Sequence, residues 1–203
     1  MKTQIITIFA ALALSAGIAA TSYAAPVNNS NVTVLNDITS ISQIEVRGNV
    51  ELYISNGTTN QVKVYNKYYA ENALVQGKNG VLRITSYNPE KLVVWVSAAD
   101  LRSVSAYDNS EVNSFGSFSS IEFSVDLHNN ASAKLSLDAF NANVTVADRA
   151  TATLTGYAEK FNLTYTRLAN VNYTGFQSAH AFAVQSGSAA LLVKPTNDDF
   201  ADL

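Results

Sequence analysis

Ala106-Tyr107-Asp108-Asn109-Ser110 is echoed by Leu127-His128-Asn129-Asn130-Ala131, Val146-Ala147-Asp148-Arg149-Ala150, Tyr165-Thr166-Arg167-Leu168-Ala169 and Val184-Gln185-Ser186-Gly187-Ser188. The fifth position is small each time, and Ser110, Ala131, Ala150, Ala169 and Ser188 lie 21, 19, 19 and 19 residues apart. Five units of about 19 residues therefore fill Leu101 to Val193. A fixed period near 20 is the mark of a solenoid, in which each unit buries its apolar face only against its neighbours.

Between the turns the pattern has period 2. Phe123, Val125 and Leu127 alternate with Ser124, Asp126 and His128; Ala142, Val144, Val146 and Phe161, Leu163, Tyr165 repeat the phase. After the turns it resumes in Ala133, Leu135, Leu137, in Ala152, Leu154, and in Val171, Tyr173. Alternation of this kind makes half-buried β-strands. Val125, Val144 and Leu163 are expected to stack in one internal column, and Leu135, Leu154 and Tyr173 in another. An antiparallel sandwich or barrel is the competing architecture, since it too spaces short strands at 8–12 residues. Neither the leucine-rich repeat nor a six-residue β-helix period is visible.

Upstream, Ile44, Val46, Val50, Leu52 and Ile54 take one side of a strand stretch, with Glu45, Arg47, Glu51 and Tyr53 on the other. Asn56-Gly57 and Lys78-Asn79-Gly80 read as tight turns, because Asn and Gly tolerate positive φ. Val62 and Val64 point inward, Val81–Thr85 and Leu92–Ala98 are further strands, and Tyr69–Leu74 offers at most one helical turn. Met1 to Ala24 reads as a signal peptide, with Lys2, an apolar run from Ile5 to Leu14 and a Ser22-Tyr23-Ala24 cleavage site. Residues 25–37 form a polar leader, 38–193 one domain (strand block 38–100, repeats 101–193), and 194–203 an acidic tail. The strand block is expected to cap one end of the stack.

No run after the leader reaches the 18 apolar residues of a membrane span. Without Cys there is neither a disulfide framework nor a lipid-anchoring thiol. Net charge is −3, or −4 once Lys2 is removed, and 14% of residues are charged. That argues against nucleic acid, which draws a basic surface. The expected location is periplasmic, outer-membrane-associated or extracellular.

Ile44-Glu45-Val46-Arg47-Gly48-Asn49-Val50-Glu51-Leu52, Gly80-Val81-Leu82-Arg83-Ile84, Val94-Trp95-Val96-Ser97 and Asp100-Leu101-Arg102-Ser103-Val104 together resemble the auto-transporter adhesin head, or GIN, family of Bacteroidetes. The family's biochemical function is unknown, and the likeness runs from about Ile38 to Val193. It implies a right-handed parallel β-helix-like solenoid, all-β with rungs of about 19–21 residues, and an envelope location. Here Asn109, Asn130, Arg149 and Leu168 stand where the family's turns usually carry Gly. No catalytic residue carries over.

The residues themselves place no chemistry. Asp100, Asp108, Asp126, Asp138 and Asp148 are scattered, and Asp108 and Asp148 occupy turns where an Asx side chain caps its own backbone. His128 and His180 are the only histidines, short of the three or four ligands zinc takes. Gly57, Gly77 and Gly80 have no following helix to make a phosphate cradle. No catalytic, cofactor-binding or metal residue is assigned, and no cofactor. Outward aromatics are the candidates for surface contact: Trp95, between inward Val94 and Val96, with Tyr65 and Tyr107 in outward phases. Exposed aromatics bring large rigid area and a polar tip to recognition surfaces. The expected function is a secreted, non-catalytic adhesin-like or envelope-interaction module touching a surface glycan or envelope protein. Two other readings stand beside it: a carbohydrate-active enzyme on a β-helix scaffold, and a self-assembling envelope scaffold, a homo-oligomer through the Trp95 face.

Overall fold

A computed structural model describes residues 32–35, 37–65 and 73–186. Residues 1–24, expected above to be a signal peptide, most of the leader, the first part of the Tyr69–Leu74 stretch and the acidic tail lie outside these residues. The described chain is all-β, with twelve strands in one curled, open sheet and no helix. The strands are β1 (Val32–Leu35), β2 (Gln43–Gly48), β3 (Val50–Asn56), β4 (Gln61–Tyr65), β5 (Ala73–Lys78) and β6 (Val81–Ser86). They continue as β7 (Leu92–Ala98), β8 (Ser103–Ala106), β9 (Glu111–Leu127), β10 (Ser132–Val146), β11 (Thr151–Tyr165) and β12 (Asn170–Gln185). Residues 32–35 of the polar leader thus form a strand, and Ala73-Leu74 open β5 rather than close a helical turn.

The repeats pair in parallel, unlike an antiparallel sandwich. Ser132 pairs with Thr151 and Val146 with Tyr165, so β10 and β11 match at a constant offset of 19. Between β9 and β10 the offset drops from 21 at Glu111–Ser132 to 19 at Ser117–Ser136, across an irregularity at residues 114–116. That bulge is the origin of the single 21-residue spacing. A second irregularity shifts β12 by one: Thr153 meets Asn172 but Thr155 meets Gly175. Tyr165 therefore faces Gln185, one residue later than the alignment of Tyr165 with Val184 placed it.

β9 joins two runs of strands. Its first part pairs with β3, which continues outward through β7, β4 and β1. Its last part pairs with β8, which continues through β2, β6 and β5. β2–β3 lies between β6–β7 and β8–β9, so the strand block extends the sheet out of chain order. Antiparallel β1, β4 and β5 then finish that end.

The inward side chains of both runs form one core. One column, by strand register, is Val64, Val94, Leu52, Val112, Ala133 and Ala152. The other is Leu82, Ile44, Val104, Val125, Val144 and Leu163, which contains the first expected stack. Leu135 and Leu154 also pair as expected. Tyr173 departs from its column, because it sits at the β12 irregularity and is 39% exposed.

Of the two tight-turn readings, Lys78-Asn79-Gly80-Val81 is a hairpin with both central residues at positive φ. Asn56-Gly57 is not a hairpin, because β7 lies between β3 and β4. Gly57 is needed there for close approach: a Cβ would collide with the Ser97 hydroxyl.

Candidate functional site

Strand alternation sends Trp95 outward from β7, and register then decides its neighbours. Lys63 of β4 and Tyr53 of β3 flank it directly, and Asn113 of β9 lies beyond Tyr53. Tyr65 stands opposite Val93, diagonal to Trp95 on the same face, a separation aromatic side chains bridge. The Trp95 indole N–H donates to Ser55 Oγ at 3.2 Å, and Lys63 Nζ lies 5.4 Å from the ring centroid. Tyr53 donates to Glu51 at 2.7 Å, which holds its phenol above the usual tyrosine range. Trp95 and Tyr53 are half-buried and Tyr65 is 37% exposed. These contacts hold the Trp95 and Tyr53 rings in place on the sheet, which lowers the entropy lost on binding.

Phe115 completes the patch. The 114–116 irregularity lifts it from the ladder, 65% exposed, to place its ring 5.2 Å from that of Trp95. Gly116 follows at φ +77, with open space on the side where a Cβ would project. Bulges re-aim side chains in this way and recur beside functional sites. Sequence phase passed over Phe115; the 21-residue spacing was the signal that could have found it.

Tyr107 belongs to a different surface. It lies on the turn edge, with the Arg47 guanidinium 3.9 Å over its ring and His128 stacked at 4.9 Å. His128 is consequently half-buried rather than fully in solvent. Tyr87, 70% exposed, donates to Asp108 Oδ2 at 3.2 Å. The same edge carries a ladder of Asx side chains. Asp148 Oδ2 accepts from the Asn129 N–H at 2.8 Å, Asn129 Oδ1 from the Asp108 N–H at 3.2 Å, and Asp108 Oδ2 from the Gly48 N–H at 3.1 Å. Each caps the backbone of the adjoining turn, not its own, which corrects the sequence reading of Asp108 and Asp148.

Polar groups elsewhere are engaged with one another. Asn56, Asp100, Arg102, Ser119, Ser120 and Glu122 line a groove of about 400 Å³. Asp100 takes 2.7–3.2 Å hydrogen bonds from Arg102, which hold its carboxyl below the usual range. Glu111 holds the Lys91 ammonium above its usual range through a 2.6 Å bond. His180 stands 3.9 Å from Glu159, far along the fold from His128. Among the described residues, no three His, Cys, Asp or Glu side chains gather as metal ligands, and no helix is long and apolar enough to cross a membrane.

Comparison with known proteins follows the same lines. The family model described as "Putative auto-transporter adhesin, head GIN domain" matches residues 41–199. Among solved structures, a putative adhesin from Bacteroides fragilis is similar at 13% identity and a TM-score of 0.65, with 76% of each chain covered. A putative adhesin from Parabacteroides merdae gives 13% identity and 0.56, again over 76% of each chain. A protein of Parabacteroides distasonis described as a putative lipid binding protein gives 9% and 0.59, over 76% of this chain and 77% of that one. At such identities the likeness is one of fold. No curated protein matches the chain.

Proposed function

This chain belongs to the GIN-domain family of auto-transporter adhesin heads, and from that premise we propose that it is an exported, non-catalytic recognition module. Its contact surface is the outer face that presents Trp95 and Tyr65, with Tyr53 and Phe115 beside them; the rim of Tyr107 on the turn edge is a second, smaller one. The partner is a surface glycan or an envelope protein. The observation that carries this reading is the two-residue bulge that brings Phe115 against Trp95. A rigid cluster of half-exposed aromatics on a sheet is the composition of interface hot spots. The same reading places the protein in the periplasm, on the outer membrane or outside the cell, delivered by residues 1–24.

In this reading residues 103–185 wind as a right-handed parallel β-helix. Parallel strands paired at an offset of 19 across a four-residue connection are what such a coil requires. A stack of this kind is a stiff rod that holds its outer face still, which suits contact better than turnover.

A glycan and envelope-protein array probed with the mature chain tests the proposal. The expected result is a hit that Trp95→Ala and Tyr65→Ala each weaken; a hit insensitive to both overturns the assignment of the face. Cleavage of any member of a polysaccharide panel by the purified protein would favour the enzyme reading instead.

A further inference from the structure

Register sets the outward side chains around Trp95 in a row that crosses six strands. Lys63 of β4 pairs with Trp95, Trp95 with Tyr53, Tyr53 with Asn113, Asn113 with Lys134 of β10, and Lys134 with Thr153 of β11. The row beside it runs Tyr65, Val93, Glu51, Glu111, Ser132, and the row on its other side includes Gln61, Ser97 and Ser55. Charge in these three rows is one-sided. Their only carboxylates, Glu51 and Glu111, are both engaged: Tyr53 donates to Glu51 at 2.7 Å and Lys91 to Glu111 at 2.6 Å. Lys63 lies 5.4 Å from the Trp95 ring centroid, and Lys134 is exposed. Neither lysine meets a carboxylate among the described residues. The chain as a whole has a net charge of −3, so this face runs against the sign of the molecule.

Resting on the reading of this face as the contact surface, we propose that the Trp95 row binds an acidic polysaccharide laid across the strands, with its anionic groups paired to Lys63 and Lys134. Composition selects a glycan over a protein. Ser55, Ser97, Ser132, Asn113 and Thr153 surround the rings with hydroxyl and amide groups, the partners that sugar hydroxyls take. Ser and Lys are residues in which protein–protein interfaces are depleted. The Trp95 and Tyr65 rings offer flat apolar area to the C–H faces of pyranose rings. Charge selects an acid over a neutral sugar, because Lys63 and Lys134 are left to pair with an anion, and a charge-assisted hydrogen bond exceeds a neutral one. Distance selects an extended chain. β4 and β10 are four steps apart in the order β4-β7-β3-β9-β10. At about 4.8 Å per step that is roughly 19 Å, a span for a linear oligosaccharide and not for a single sugar.

Titration of the mature chain with polygalacturonate (carboxylated) and dextran sulfate (sulfated), followed by Trp95 emission, tests the assignment; neutral dextran and polyglutamate are the controls. The expected result is binding of at least one acidic glycan, weakened by added salt and not matched by either control. Which of the two binds tells carboxylate from sulfate. Lys63→Gln and Lys134→Gln should each weaken the complex about threefold, and together about tenfold, with the melting temperature unchanged; Lys63→Arg should retain it. Neutral dextran or polyglutamate bound as tightly overturns the proposal, and so does a complex that Trp95→Ala weakens but the double glutamine variant does not. Those outcomes leave the Trp95 face as the contact surface. Failure of both acidic glycans to bind also overturns the proposal, and the face is then judged by the array hit alone. Acidic-glycan binding that Trp95→Ala leaves intact removes the face itself.

Discussion

Asp108, Asn129 and Asp148 each adopt φ between 54° and 62°, a region that Asn and Asp enter more readily than other non-glycine residues. Their side chains then reach across to the next turn, so one residue type serves both conformation and stacking. The Asp108 carboxylate also acts on Tyr87. Its negative charge, ahead of the hydrogen bond between them, disfavours the phenolate and holds the Tyr87 phenol above the usual tyrosine range. Asp108→Asn removes the charge and should lower that titration toward the ordinary value, seen as an earlier ultraviolet phenolate signal; an unmoved curve would contradict the contact. The glycines give a second prediction. Gly116 and Gly156 both have positive φ, but only at Gly156 would a Cβ meet backbone, the Leu137 carbonyl. Gly116→Ala should cost about 1–2 kcal/mol from conformation alone, and Gly156→Ala clearly more, by thermal melting. That Asp108 and Asp148 sit in turns was legible in the sequence. Which backbone they cap was not, because that depends on which turns are stacked.

At the scale of the strand, Leu163 and Thr164 separate inside from outside. Leu163 is fully buried opposite Val144, and Thr164 beside it is exposed. Leu163→Ala should cost about 2–5 kcal/mol through a cavity, and Thr164→Ala within about 0.5 kcal/mol; equal denaturation midpoints would mean the phase is inverted. The bulge gives a sharper test of an element. Deleting Phe115-Gly116 returns β9 to the 19-residue register and removes the ring beside Trp95. Since Trp95 is the only tryptophan, its emission should shift to the red and quench more readily with iodide, while the β-sheet circular dichroism persists. An unchanged spectrum would deny the Trp95–Phe115 contact. Alternation made the strands readable, from Leu92–Ala98 to the repeats. Their order in the N-terminal block was not readable, because Val50–Ile54 and Leu92–Val96 carry the same in-out pattern and either could lie against β9.

Taken whole, the molecule is one core wrapped by a sheet whose outer surface carries an aromatic face and a polar turn edge. The 19-residue period announced the core. The aromatic face was half announced: Trp95 and Tyr65 follow from phase, and register brings them together. Tyr107 shares their phase but stands on the turn edge with Arg47 and His128 across its faces, a grouping that needed long-range pairing. We assign contact with the partner to the Trp95 face. Hydroxyl-radical footprinting of the whole chain, with and without whatever the array captures, addresses that claim directly, since aromatic side chains report their own accessibility. If that face is the contact surface, the captured ligand protects Trp95, Tyr65 and Phe115 from oxidation while exposed Tyr87, Phe140 and Tyr157 keep their reactivity. Unchanged oxidation at Trp95 and Tyr65, with protection falling on Phe140 and Tyr157 instead, would contradict it.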